Sequence, residues 1–182
     1  MHMTYRSVGS GTGQKEFIGD ADSGYASYNH FASGDIPFTS TDFDGMMSRG
    51  HEVLQLPFVI GAISIFYNIP ELEGLHLDLD GCTLARIFSS QITMWNDNAI
   101  AKLNPELALP AIPIKVVHRT KGSSSTAGTT EYLGTVTARE GCGTDAWPLR
   151  ADGVTPNTGS VVEWATTTQG ADSSSEVAAY IG

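Results

Sequence analysis

Ile114-Lys-Val-Val-His-Arg-Thr-Lys-Gly-Ser-Ser-Ser-Thr126 joins an apolar run to a turn of glycine and serine and then to the start of a helix. The β-branched residues in Ile114 to Val117 predict a buried strand. Serine is a favoured N-cap residue, so we expect a helix that opens near Ser123 and runs to Leu133. Strands that alternate with short helices are typical of α/β architecture, which is the fold class that we predict.

Segments on either side of this stretch predict more elements of the same two kinds. Two further buried strands are expected where apolar residues surround Pro57, at Val53 to Leu56 and at Val59 to Tyr67. Helical patterning indicates three more helices, at Thr83 to Ser89, Asn98 to Leu103 and Ser174 to Tyr180. Glycine and polar residues indicate surface loops at Gly19 to Tyr28 and at Arg150 to Thr158.

Composition limits the size of the fold and the class of partner. The 182 residues, of which 41% are hydrophobic, suffice for one substantial domain or two small lobes. A formal net charge of -10 argues against nucleic acid or an anionic lipid surface as a partner. The apolar stretch Phe58 to Tyr67 is too short to span a bilayer. Met1-His2-Met3 lacks the features of a secretory signal, so it gives no location.

The two cysteines leave two alternatives open. If Cys82 and Cys142 pair, the disulfide closes a loop worth about 4 kcal/mol in the chain-entropy model. Two buried free thiols are the other alternative. The histidines are scattered and have no converging carboxylates, so we expect no bound metal. We expect no cofactor either.

The segment Gly9-Ser10-Gly11-Thr12-Gly13 is a candidate anion cradle between a short β-like stub and an expected helix. Glycine lets backbone amides converge on an anion, and a helix N-terminus adds partial positive charge. The Ser10 hydroxyl supplies one more donor, which makes Ser10 and Gly11 candidate ligands. A plain glycine-rich turn with a serine cap is the alternative. The pattern is neither the dinucleotide-binding fingerprint nor the P-loop.

A second candidate cradle follows the predicted strand at Ile114 to Val117. The fork of Arg119 can clamp two oxygens of a tetrahedral anion, while hydroxyls and amides of three consecutive serines donate to the others. Those serines are Ser123, Ser124 and Ser125. A serine N-cap beside an exposed arginine is the alternative. Two such turns in one small chain strengthen the anion hypothesis, because two helix N-termini can address one ligand.

Asp35, in the segment His30 to Phe38, predicts which anion such a site would accept. A carboxylate next to a bound anion is repulsive unless the ligand carries a proton that it can donate. Phosphate carries such a proton at neutral pH and sulfate does not, so Asp35 would discriminate between them. The alternative is a turn-forming aspartate two residues before Pro37.

Several short segments together resemble the PstS-like proteins, which are the substrate-binding components of phosphate-specific ABC uptake systems. They are Ser7-Val-Gly-Ser-Gly-Thr-Gly, Phe31-Ala-Ser-Gly-Asp-Ile-Pro, Leu56-Pro-Phe-Val-Ile-Gly-Ala, Tyr67-Asn-Ile-Pro, Leu79-Asp-Gly-Cys-Thr-Leu-Ala-Arg-Ile-Phe, Ile92-Thr-Met-Trp-Asn-Asp, Ala101-Lys-Leu-Asn-Pro and Val117-His-Arg-Thr-Lys-Gly-Ser-Ser-Ser-Thr. Their order and spacing match over roughly Tyr5 to Leu133. The resemblance implies a two-lobed periplasmic-binding-protein fold that closes on phosphate at a hinge. It also implies a periplasmic or otherwise extracytoplasmic location.

The resemblance also implies a role for each candidate ligand. Ser10 falls on the first-lobe serine, Asp35 on the acceptor of the phosphate proton, and Arg119 on the arginine clamp. Ser123, Ser124 and Ser125 take the places of a Ser-Gly-Thr run, so Ser124 replaces a glycine. Lys121 stands where the family usually has an aspartate that orients the arginine, so Arg119 is held less firmly or the site is more positive.

The resemblance predicts a truncated fold in which the second lobe is better represented than the first. The family's opening strand and its threonine contact have no counterpart before Tyr5, and the chain ends before the family's second lobe is finished. We expect a partial first lobe with hinge strands at residues 4–68 and a second lobe at residues 69–182. Apolar edges near Val53 to Ile60 then predict self-association or a partner chain that completes the first lobe.

Three functions from different classes are compatible with these observations. The first is a non-enzymatic module that binds inorganic phosphate, with the permease of an ABC transporter as a candidate partner. The second is a PstS-like structural or interaction module in a larger assembly that has weakened or lost phosphate binding. The third, a phosphate-ester hydrolase, ranks last because His118 and the serines lack an orienting acid and a nucleophile elbow.

Overall fold

The computed structural model describes residues 5–19, 24, 27, 29–139, 141–143, 146–148, 150, 152–153 and 155–182. Its elements are α1 (Ser10–Ile18), α2 (Ser40–Ser48), a 3₁₀ turn (Pro70–Leu72), α3 (Gly81–Phe88), α4 (Asn98–Leu103), β1 (Val117–Arg119), α5 (Ser124–Arg139), β2 (Gln169–Ala171) and α6 (Ser174–Ile181). This order of helices around parallel strands confirms the α/β class. The sequence predicted α3, α4 and α6 to within two residues and the start of α5, while α2 was not expected.

Polar side chains fix the starts of four helices. Thr39 and Asp42 form a capping box at α2, in which each side chain accepts from the other's backbone N–H. The side chains that cap α3, α4 and α6 are Asp80, Asp97 and Ser173. Each satisfies a backbone donor that the first turn of a helix leaves without an intrahelical partner.

The two strands form a parallel pair in which Val117 lies opposite Gln169 and Arg119 opposite Ala171. The strand predicted at Ile114 to Val117 overlaps β1 only at its last residue. Ile114 instead donates its N–H to the carbonyl of Thr93 at 2.8 Å, in a segment where chain pairing is antiparallel. The start of this apolar run therefore pairs with the segment around Thr93, and its end pairs with β2. As a result β1 begins at Val117 and ends at Arg119, later than predicted.

Two buried apolar clusters hold together the part of the chain from Leu77 onwards. One packs α3 against α5 and includes Leu133, Val136 and Trp147. A disulfide between Cys82 and Cys142 lies in it, which decides between the two alternatives for the cysteines. The second cluster centres on Ile87, Ile92, Ile100 and Val116. Its member Val116 comes immediately before β1, so the start of this strand is joined to the core.

The predicted strands at Val53 to Leu56 and Val59 to Tyr67 are wrong. Residues 53–66, called the apolar segment below, form neither strand nor helix. Their side chains are largely exposed, with Leu54 at 81% and Ile60 at 99%. An apolar run becomes a buried strand only when neighbouring strands pair with it, and no described residue provides such a partner.

The remaining predictions concern loops and membrane spans. Most of the loop predicted at Gly19 to Tyr28 lies outside the described residues. The described residues of Arg150 to Thr158 form no helix. The longest helix, α5, has 16 residues, and none of the helices in the described ranges combines the length and apolarity needed to cross a bilayer.

Candidate functional site

The N-terminal turns of α1 and α5 are in direct contact through two glycines. A Cβ atom built on Gly11 would lie 3.0 Å from the Cα of Gly122, and one built on Gly122 would lie 3.1 Å from the Cα of Gly11. Gly9, which precedes α1, has a φ of +80°, which favours glycine. The two candidate cradles, far apart in sequence, are therefore one place in the fold.

The carboxylate of Asp35 lies between serines of these two turns. Its Oδ2 accepts from the hydroxyl of Ser124 at 2.8 Å and from the hydroxyl of Ser10 at 3.4 Å. The backbone N–H of Asp35 donates back to Ser10 Oγ at 3.2 Å. Its other oxygen, Oδ1, has no hydrogen-bond partner within the described ranges. Asp35 thus joins the two turns through one oxygen and keeps a second acceptor.

Arg119 is the last residue of β1, and its guanidinium lies beside the same turns. Nη1 donates to the hydroxyl of Ser174 at 3.1 Å, and Nη2 donates to the backbone carbonyl of Asp172 at 3.1 Å. A Cβ on Gly9 would lie 3.9 Å from Nη2. The Nε atom is buried and has no hydrogen-bond partner in the part of the chain that the structure describes. A positive charge therefore stands next to the first turn.

The three serines of the second turn have different surroundings. Ser123 is buried and precedes α5, where its Oγ accepts a long hydrogen bond of 3.5 Å from the N–H of Thr126. Its own N–H donates to the carbonyl of Ser160. Ser124 faces Asp35 as described, and Ser125 is exposed beside the same cleft. The Ser123 hydroxyl thus serves mainly as a helix cap, the Ser124 hydroxyl donates to Asp35, and Ser125 is an accessible donor.

Lys121 forms an ion pair of 2.8 Å with the carboxylate of Asp172. The hydrogen bond from Lys121, followed by one from Thr120, lowers the pKa of Asp172 below its usual value. The same hydrogen bond raises the pKa of Lys121. Both side chains are more than half exposed, so salt screens the pair. The lysine charge is compensated within the pair.

Asp172 and Ser174 were not among the candidate residues from the sequence. Asp172 lies in the turn between β2 and α6, and Ser174 is the first residue of α6; the parallel pairing brings both beside Arg119. The run Gly170-Ala-Asp-Ser-Ser-Ser175 repeats the small-residue and serine pattern of Gly122 to Ser125. This repeated pattern could have identified Asp172 and Ser174 as candidates. Only the register of β1 against β2 shows that they lie beside Arg119.

His118 is directed into packing contacts. Its ring stacks on Trp164 with a centroid distance of 4.6 Å, and its Nδ1 lies 3.1 Å from the carbonyl of Arg119. The Nδ1 atom of His118 therefore faces the backbone of its own strand. No group of three histidine, cysteine or acidic side chains in the described ranges has the geometry to hold a metal ion.

A cleft of about 930 Å³ opens from the site toward the apolar segment. Ser10, Asp35 and Ser124 line one part of it, and Phe58 and Ile63 line another. Gln14 donates from its side chain to the carbonyls of Ile36 and Pro37 at 3.0 and 3.1 Å, which ties the Asp35 loop to α1. Chemically, hydroxyl groups, two helix N-termini and one acceptor meet at this end of the cleft, and the guanidinium of Arg119 lies next to the first turn. That set suits a small, protonated oxyanion.

The class of protein follows from comparison with known families. A family model described as a PBP superfamily domain matches residues 1–181. The chain therefore belongs to the PBP superfamily, and its α/β fold is a form of the periplasmic-binding-protein fold.

Within this superfamily the chain is PstS-like. It is 36% identical over 179 residues to "Phosphate-binding protein PstS" of Pasteurella multocida, covering 98% of this chain and 45% of that protein. It is 39% identical over 131 residues to the protein of the same name from Haemophilus influenzae, covering 72% and 36%. For the one from Methanocaldococcus jannaschii the identity is 39% over 132 residues, covering 71% and 32%. The chain spans less than half the length of these relatives.

Proposed function

We propose that this chain binds inorganic phosphate at the meeting point of α1 and α5, as the receptor module of an uptake system. The proposal rests on one observation: Ser10, Asp35 and Ser124 come from three separate segments, contact one another and line a single cleft, and the guanidinium of Arg119 lies next to the first of their turns. It is supported by the similarity to relatives named as phosphate-binding proteins. A binding role without catalysis is part of the proposal, because the site presents donors and one acceptor but no activated nucleophile.

Each group has a distinct part in the proposed site. Arg119 supplies the positive charge, and the hydroxyl of Ser125 together with first-turn amides such as that of Gly11 donates to the phosphate oxygens. The hydroxyls of Ser10 and Ser124, which donate to Asp35 in this structure, turn their single protons to phosphate when it binds. Ser123 contributes through its backbone and through the cap of α5. Oδ1 of Asp35 accepts the phosphate hydroxyl, which sulfate lacks at neutral pH.

Isothermal titration of the 182-residue chain with phosphate and, separately, with sulfate tests the proposal. Phosphate is expected to bind and sulfate to bind much more weakly or not at all. Arg119→Ala is expected to weaken phosphate binding by roughly 10- to 100-fold, because it removes charge-assisted hydrogen bonds. Arg139→Ala is the matched control, since it changes an exposed arginine about 22 Å away along the axis of α5. Equal affinities for the two anions, or no effect at Arg119, would contradict the proposal.

The proposal includes a division into lobes and a location. We propose that residues 4–68 contribute to a partial first lobe and residues 69–182 to a second lobe. Support comes from the two buried clusters, whose members all lie at Leu77 or beyond. An uptake receptor of this kind would work outside the cytoplasm and pass phosphate to the permease of an ABC transporter.

The exposed apolar segment supports a proposed partner. Leu56, Phe58 and Ile60 are 68%, 78% and 99% exposed, and contiguous apolar surface of this kind marks sites where protein packs on protein. We propose that a second copy or a partner chain covers it by pairing with the unpaired backbone. Light scattering after size exclusion is expected to detect association, and Ile60→Lys to reduce it. A monomer at all concentrations would argue against self-association.

A second candidate function follows from the same surface. The chain could act as an interaction module in a larger assembly, with weakened or lost phosphate binding. The exposed apolar segment favours it, since a free-standing receptor would hardly leave so much apolar surface in water. A stoichiometric partner combined with no heat of phosphate binding would favour this function over the first.

A further inference from the structure

The turn between β2 and α6 holds the guanidinium of Arg119 through two uncharged acceptors. Parallel pairing sets Arg119 opposite Ala171, so the residues that follow Ala171 lie beside the arginine. The acceptors are the hydroxyl of Ser174 and the backbone carbonyl of Asp172, each at 3.1 Å. An acceptor without charge can fix the plane of a guanidinium while leaving its positive charge available.

The same two bonds leave other N–H donors of the guanidinium unused. A guanidinium carries five N–H donors in a fixed plane, and the contacts with Ser174 and Asp172 use one on each terminal nitrogen. The buried Nε–H of Arg119 has no partner within the described residues. In a planar guanidinium the Nε–H is parallel to one N–H of the adjacent terminal nitrogen, and such a pair can donate to two oxygens of a tetrahedral anion.

Several hydrogen bonds hold Asp172 in place. Its carboxylate accepts from Lys121 Nζ at 2.8 Å and from the hydroxyl of Thr120. Its backbone N–H donates to Glu176 at 2.6 Å, and the N–H of Thr120 donates to the carbonyl of Ala171 at 2.9 Å. Fixed at its side chain and at its amide, Asp172 has little freedom to turn its carbonyl away from the guanidinium.

We infer that Asp172 is a positioning residue for Arg119 and that Lys121 acts through it by holding the Asp172 carboxylate. The inference rests on the proposed phosphate site and names how its arginine is oriented. The ion pair restrains Arg119 from the β2–α6 turn, in place of the aspartate that the resemblance would put at position 121. Because Lys121 compensates Asp172, the charge of Arg119 stays available to the anion.

Phosphate titration provides the first arm of the test. Lys121→Met is expected to weaken phosphate binding by about fivefold, which corresponds to the upper range for an exposed ion pair. Lys121→Arg keeps the ion pair and is expected to restore the affinity. Lys102→Met, an exposed lysine in the last turn of α4, is the control and is expected to change nothing. A loss that Lys121→Arg does not restore would overturn the inference.

Nuclear magnetic resonance of the Arg119 Nε–H, without phosphate, provides the second arm. The signal is assigned by its loss in Arg119→Lys. It is expected to be sharp in the original chain and in Lys121→Arg, and broadened or shifted in Lys121→Met. An unchanged signal in Lys121→Met would overturn the inference whether or not phosphate binds. A chain that shows the expected signals but binds no phosphate would retain the positioning role and refute only the proposed function.

Discussion

Gly11→Ala tests whether the close approach of α1 and α5 creates the site. The added Cβ would lie 3.0 Å from Gly122 Cα and 3.3 Å from Gly122 C, where carbon atoms normally stay about 3.5 to 4.0 Å apart. The two turns must therefore separate by about 0.5 to 1 Å. Ser124, two residues after Gly122, would move with its turn, and its 2.8 Å bond to Asp35 would stretch beyond hydrogen-bond range.

The expected effects on stability and on binding have opposite signs. Inside a helix, alanine is favoured over glycine by about 0.5 to 1 kcal/mol, so α1 itself gains stability. Phosphate binding is expected to weaken by roughly 10- to 150-fold, which corresponds to one charge-assisted hydrogen bond of about 1.5 to 3 kcal/mol.

Gly13→Ala is the matched control for Gly11→Ala. It lies in the same helix, and its added Cβ would meet only Val8 Cγ2, at an ordinary 3.9 Å. It should therefore show the gain in helix stability without the loss of binding. Thermal unfolding and isothermal titration of the two variants measure both quantities. If Gly11→Ala binds phosphate as tightly as Gly13→Ala does, contact between the two turns does not create the site.

Three further predictions concern the disulfide, the acceptor and the ion pair. Replacing Cys82 and Cys142 by serine is expected to lower the free energy of unfolding by about 4 kcal/mol, since the bond links residues 60 apart; urea unfolding measures it, and no loss would be contrary to expectation. Asp35→Asn is expected to bring the sulfate and phosphate affinities closer together; an unchanged ratio in parallel titrations would exclude Asp35 from selectivity. Folding lowers the pKa of Asp172 from 3.8, so its contribution to stability is present above that pH and lost as pH falls through the lowered value. Lys121→Met should remove this loss of stability at low pH. If the free energy of unfolding depends on pH identically in the two chains, the ion pair does not contribute to it.

The sequence predicted local features well because their causes are local. Asp80, Asp97 and Ser173 cap helices whose starts the sequence had placed within two residues. The two candidate cradles were chosen because glycine and serine are favoured at the start of a helix, and both segments do stand at helix starts. Their contact through Gly11 and Gly122 required more than local reasoning, and the resemblance to a two-lobed family supplied it.

The orientation of Arg119 could not be predicted because it depends on strand register. Asp172 and Ser174 follow β2, more than fifty residues after β1, and only the pairing of Arg119 with Ala171 brings them together. From the sequence, Lys121 was expected to leave Arg119 held less firmly or to make the site more positive. In the fold, Lys121 forms an ion pair with Asp172. No local sequence pattern could reveal this pair, because the two residues are 51 positions apart.

The prediction of strands in the apolar segment was wrong for a related reason. A hydrophobic run predicts burial but does not identify the residues that would cover it. This segment nevertheless contacts both sides of the candidate site. Gln55 accepts from the N–H of Phe38, next to the Asp35 loop, and Ile63 lies against Gly128 in α5. A partner that covers the apolar segment would therefore act on the Asp35 loop and on α5 through these contacts. The proposed site needs these two parts at a fixed separation, so we expect a partner on the apolar segment to change phosphate affinity without contacting phosphate.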